Sequence, residues 1–156
     1  ACEKRHRNFS TTLNRLLDLG ALPIINENDT VATEEIVIGD NDTLAAIVAK
    51  SVGAALLVLL SDIDGLYTAD PRKDASAVLI PTVTALDDSL RALAGVSGSE
   101  QGTGGMITKL QAAEICMHCG CDMVIANGNA PDHLYAILEG APIGTRFVAR
   151  KQEKGL

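Results

Sequence analysis

A chain of 156 residues is long enough for one domain with a sizeable core, since about 68–70% of the unfolded surface is buried at this size. Hydrophobic residues make up 47% and charged residues 21%, with no tryptophan, a balance that favours a soluble globular protein over a disordered or membrane-spanning one. The formal net charge of -7 argues against a general binder of nucleic acid or anionic membranes, while leaving room for a local basic pocket that holds a phosphate. Ala1 to Asn8 carries basic residues with no apolar stretch after them, so no secretory signal is visible and a cytoplasmic location is expected.

In chain order, Phe9 to Leu19 reads as a helix with Leu13, Leu16 and Leu17 on one side and Gly20 as its stop. Leu22 to Ile25 reads as a short buried strand that ends at the polar cluster Asn26 to Asp29, and Thr30 to Ile38 as an exposed hairpin or insertion. Asp40-Asn-Asp42 is an N-cap signature for a helix that Gly53 closes. Ala54 to Leu60 is apolar throughout, which predicts a central strand covered on both faces in a parallel sheet. Ile63 to Arg72 is rich in turn residues. Val78 to Val83 is a candidate strand, Leu86 to Leu93 a short helix, and Ala94 to Gly105 a loop. Met106 to His118 reads as a helix, Asp122 to Ala126 as a strand, Pro131 to Glu139 as a helix and Thr145 to Val148 as a last strand. This alternation predicts an α/β fold, a three-layer α/β/α sandwich with a mostly parallel sheet, as a single domain over residues 1–156. Ligands of such sheets bind beyond the carboxyl ends of the strands. Asn26 to Asp29, Ser61-Asp62 and Asn127-Gly128 all fall there.

Cys116, Cys119 and Cys121 crowd around His118, but no second ligand pair stands at zinc-ribbon spacing. Buried reduced thiols are the expectation, with no metal site. His6 and His133 read as surface histidines. The stretch Gly102-Thr-Gly-Gly-Met-Ile-Thr-Lys109 carries the chemistry: glycines permit close backbone approach, a helix start presents bare N–H groups and partial positive charge, and Lys109 adds a full one. It fits neither the Walker loop nor the dinucleotide fingerprint, and a mobile surface loop with a solvated lysine is the alternative. Asp42 heads its own helix and is able to orient a lysine, or else serves only as a cap. Asp29 and Asn41 offer a carboxylate and an amide for a small polar substrate, or ordinary turn chemistry.

Ile25-Asn-Glu-Asn-Asp29, Gly39-Asp-Asn-Asp42, Ser61-Asp-Ile-Asp-Gly-Leu-Tyr-Thr-Ala-Asp-Pro-Arg72 and Gly102 to Lys109 stand here in the order found in glutamate 5-kinases. Over Phe9 to Val148 the chain resembles these members of the amino-acid kinase superfamily. The resemblance implies transfer of the ATP γ-phosphoryl group to the side-chain carboxylate of L-glutamate, the first step of proline biosynthesis. It implies that Asp29 and Asn41 bind glutamate and that Asp42 organises the catalytic lysines. It further implies that Ser61 and Asp62 contact the nucleotide, while Thr103, Gly104, Gly105, Met106, Ile107, Thr108 and Lys109 wrap its phosphates, with Lys109 stabilising the moving group. Mg2+ would accompany ATP. Feedback inhibition by proline and a homo-oligomer are also implied. Such kinases begin with a strand and a glycine-rich turn bearing another lysine, and no such stretch precedes Ala1. The resemblance is therefore to the C-terminal part of a kinase domain, with little activity expected from this polypeptide alone. A non-catalytic nucleotide- or amino-acid-binding module, or a kinase acting on acetylglutamate, aspartate, carbamate or uridylate, are the competing readings.

Overall fold

The computed structural model describes residues 2–26, 40–96 and 105–150. Helix α1 spans Cys2–Asp18, and Gly20 ends it at φ 71°. The Gly20 N–H donates to the Leu17 carbonyl and the Ala21 N–H to that of Leu16, both at 2.9 Å, the paired bonds of a Schellman stop that a left-handed glycine permits. Of the three leucines expected on one side of the helix only Leu13 is buried; Leu16 and Leu17 are exposed.

The segment after α1 corrects the sequence reading. Leu22 to Ile25 forms no strand, and Leu22 and Ile24 are 87% and 93% exposed. Pro23 lacks the N–H that a paired strand must donate, and an apolar run becomes a strand only where a neighbour satisfies its backbone. The predicted hairpin over Thr30 to Ile38 lies outside the described residues.

Helix α2, Asn41–Val52, is capped by Asp40, whose Oδ1 accepts the Thr43 N–H at 2.7 Å. Gly53 closes it at φ 65°. Asp40→Ala should cost about 1 kcal/mol, since one of the free N–H groups of the first turn loses its partner. Thermal unfolding reads this directly, and an unchanged midpoint would remove the cap from the account.

Strands β1 (Leu56–Ser61), β2 (Thr82–Val83), β3 (Asp122–Asn127) and β4 (Thr145–Phe147) form a sheet of order β1-β3-β4-β2. The pairs β1·β3 and β2·β4 are parallel and β3·β4 is antiparallel, so the sheet is mixed with mostly parallel pairing. The predicted central strand is displaced: β1 is the terminal strand of the described sheet, with Leu60 exposed, and β3, buried from Met123 to Ala126, takes the centre. Continuous apolar character marks both; only the pairing tells them apart. The candidate strand Val78 to Val83 shrinks to Thr82–Val83, preceded by a single bridge between Tyr67 and Leu79, with Pro81 interrupting the donors between them.

Helices α3 (Asp88–Val96), α4 (Gly105–Cys119) and α5 (His133–Leu138) complete the fold. One core face joins Ala46 and Ala49 of α2 to Ala112, Ala113, Cys116 and Met117 of α4 and to Met123, Ile125 and Phe147 of the sheet. The other gathers Val124, Ala126 and Ile137, the last from α5. Side chains that alternate along β3 thus feed opposite faces, and helices cover both. No described helix is long and apolar enough to cross a membrane.

Candidate active site

Two packed helices, α2 and α4, bring together side chains 67 residues apart. Lys109 Nζ lies 3.1 Å from Asp42 Oδ2, and Thr108 Oγ1 lies 2.7 Å from the same oxygen and 3.1 Å from the Gly105 carbonyl. The lysine side chain is 12% exposed and the aspartate 23%, so the ammonium is held in one direction rather than free to sweep through solvent. Division of labour within Asp40-Asn-Asp42 is therefore clear: Asp40 caps the helix, while Asp42, in its first turn, is aimed at the lysine of α4. Gly105 opens α4, and Met106 and Ile107 occupy its first turn. Asn41 starts α2 next to Asp42. Asp29, Thr103 and Gly104 lie outside the described residues.

A second cluster stands at the carboxyl ends of β1 and β3, which run parallel with Ser61 opposite Asn127. The Gly128 N–H donates to the Ser61 carbonyl at 2.7 Å, and Ser61 Oγ donates to Asp62 Oδ1 at 3.0 Å. Sequence reasoning placed Ser61, Asp62 and Asn127 on this rim but missed Asp64. Its carboxylate accepts Asn127 Nδ2 at 2.8 Å and the Tyr67 hydroxyl at 3.1 Å. Nothing in the local pattern announces a bond between residues 64 and 127. Burial, and then the bond to Asp64 and its negative charge, hold the Tyr67 phenol above its ordinary ionisation range. Further along the same loop, bonds from the Arg72 guanidinium and backbone N–H hold the Asp70 carboxyl below the usual carboxylate range.

The thiols match the expectation of buried, reduced groups for Cys116 and Cys121; Cys119 is half-buried. Burial pushes the Cys116 thiol up, far from a nucleophilic thiolate. Among the described residues no group of three or more His, Cys, Asp or Glu side chains is arranged to hold a metal. His133 departs from the expected surface histidine: it is half-buried, and its Nδ1 is buried with no hydrogen-bond partner among the described residues. A groove of about 800 Å3 also runs along α2 and α4, lined by Thr43, Lys50, Gln111, Glu114, Ile115, His118 and Cys119. It touches neither the lysine–aspartate pair nor the strand ends, so volume does not mark the chemistry here.

Among curated proteins, the glutamate 5-kinase of Herpetosiphon aurantiacus is 55% identical over 143 residues, covering 92% of this chain and 39% of that protein. The glutamate 5-kinase of Paramagnetospirillum magneticum is 57% identical over 155 residues, covering 96% and 42%. The chain thus spans about two fifths of the length of these relatives. Among solved structures, the T. acidophilum isopentenyl phosphate kinase product complex superposes with a TM-score of 0.64 at 23% identity, over 88% of this chain and 52% of that one. That likeness speaks for the fold. Residues 1–127 match the amino acid kinase family, which with an α/β sheet, a glycine-led helix and a lysine anchored across two helices shows that this chain belongs to the amino acid kinase family.

Proposed function

We propose that this chain supplies the nucleotide-binding and phosphate-clamping part of a glutamate 5-kinase, which moves the ATP γ-phosphoryl group onto the side-chain carboxylate of L-glutamate. The observation that carries this reading is the Lys109–Asp42 pair at the start of α4. Phosphoryl transfer asks little covalent chemistry of a protein; it asks for positioning and for positive charge where negative charge accumulates. Lys109 supplies that charge, and Asp42 and Thr108 fix its direction. The start of α4 at Gly105, Met106, Ile107 and Thr108 faces the phosphates, where a helix N-terminus and its dipole favour an anion, Thr103 and Gly104 precede it, and Ser61 and Asp62 take the rest of the nucleotide. Asp29 and Asn41 hold glutamate. Mg2+ arrives with the phosphate oxygens, a mode of binding that needs no dedicated protein cage. The same reading carries a partial kinase domain, proline as a feedback inhibitor, a homo-oligomer and a cytoplasmic location.

Grafting tests it. The aligned stretch of the Herpetosiphon enzyme is replaced by this sequence, and hydroxamate formation from glutamate, MgATP and hydroxylamine is followed. The chimera should form glutamyl hydroxamate, and the isolated chain should be slower by orders of magnitude because part of the charge clamp is supplied by the rest of the host enzyme. A folded chimera that binds MgATP without forming hydroxamate would instead assign a binding module.

A further inference from the structure

At the carboxyl ends of β1 and β3, three side chains lock two loops together. Asn127 Oδ1 accepts the Asn129 N–H at 2.9 Å, which fixes the orientation of the amide and leaves Nδ2 to donate. Its target is Asp64 Oδ1 at 2.8 Å, while Asp64 Oδ2 accepts the Tyr67 hydroxyl at 3.1 Å. Tyr67 is in turn tied to Leu79 by a backbone bridge. Each carboxylate oxygen of Asp64 is thus used once, and the loop after β1 is fastened to the loop after β3 at the level where Gly128 already bonds Ser61. A surface loop of this composition would otherwise have many backbone states to lose on binding a ligand.

We infer that Asp64 is a positioning residue for the nucleoside end of the nucleotide, holding the rim that carries Ser61 and Asp62 in its binding conformation through Asn127 and Tyr67. The inference rests on the kinase reading above and deepens it. A carboxylate repels phosphates, so this cluster suits the uncharged half of the ligand, while the phosphates take the cationic end at Lys109. The chemistry also separates two variants. In Asp64→Asn the amide oxygen still accepts Asn127 Nδ2, and the new Nδ2 donates to a Tyr67 hydroxyl that turns to accept. In Asp64→Ala both bonds are lost.

Calorimetric titration of the grafted enzyme with MgATP and with magnesium tripolyphosphate, which lacks the nucleoside, decides the matter. Asp64→Ala should weaken MgATP roughly tenfold, the size expected for losing hydrogen bonds to a charged group, and leave tripolyphosphate within about twofold. Asp64→Asn should stay within about threefold of wild type for MgATP. Ultraviolet titration of the isolated chain checks the network without any nucleotide: in Asp64→Ala the Tyr67 ionisation should move down towards the ordinary range of a tyrosine. Unchanged MgATP affinity in Asp64→Ala, or an equal loss of both ligands, overturns the inference while the kinase reading survives. A grafted enzyme with Asp64 intact that binds neither ligand overturns the kinase reading and this inference with it.

Discussion

Lys109→Ala in the grafted enzyme should lower turnover by roughly a hundredfold to a thousandfold, the usual loss when one preorganised group that stabilises transition-state charge is removed. Two effects act in the same direction. On the proposed reading, the positive charge that meets the migrating phosphoryl group disappears, and Asp42, 3.1 Å away in the intact pair, is left uncompensated beside the phosphates. Like charge at that range opposes both binding and transfer. Lys109→Arg is no remedy, because a planar guanidinium on a longer reach cannot occupy the position of a compact ammonium that is only 12% exposed. Initial rates of ADP release against MgATP and glutamate separate the parameters. A kcat within about twofold of the parent would strip Lys109 of its role, whereas a large fall in kcat with a small change in KM is the signature of an interaction made in the transition state.

Gly65→Ala should be the most damaging single methyl in the described structure of the loop after β1. Gly65 has φ +157°, and a Cβ there would stand 2.5 Å from Thr145 Oγ1, 2.9 Å from Leu79 Cδ1 and 3.0 Å from the Thr145 backbone nitrogen. The obstacle cannot retreat. Thr145 is fully buried, and its hydroxyl accepts the Leu66 N–H at 2.8 Å while donating to the Ile80 carbonyl at 2.7 Å, so moving it breaks two bonds that tie β4 to two other segments. Overpacking of this kind, with an unfavourable backbone added, should cost about 3 kcal/mol or more. The urea midpoint measures it. Gly128→Ala is the internal comparison: its Cβ would meet Leu60 Cβ and the Ser61 carbonyl oxygen at 3.4 Å, an ordinary contact, and the cost should stay below about 1 kcal/mol. Equal midpoints for the two variants would dismiss the argument from Thr145.

The contrast between these glycines shows where sequence reasoning is strong and where it stops. Gly20 and Gly53 were legible because a glycine just beyond an apolar period has one common use, and both end helices at positive φ. Asp40 was legible for the same local reason. The buried strand of β3 and the long helix after the glycine-rich loop also follow from local pattern. By contrast, Leu22 to Ile25 and Ala54 to Leu60 look alike in sequence, yet one is an unpaired exposed segment and the other a terminal strand. Their difference lies in what stands beside them, and that is not written locally. The site divides the same way. Lys109 and Asp42 stood out as charges at helix starts, and the family resemblance supplied the idea that they meet; Asp64 and His133 had no such guide, since their surroundings are made by residues distant in the chain.

The core face that joins α2 and α4 carries four alanines, Ala46 and Ala49 on one helix and Ala112 and Ala113 on the other, all buried beside Cys116 and Met117. The two charged partners at Asp42 and Lys109 ride on these same helices, so the spacing of the helix axes and the reach of the ammonium are one coordinate. A seam of methyl groups leaves little slack, because helices this close can neither approach further nor part without opening a void. Steric thickness in the interior therefore sets an electrostatic distance at the surface, and a substitution that touches no ligand, thickening the seam by a carbon or two, would detune the charge it was never in contact with.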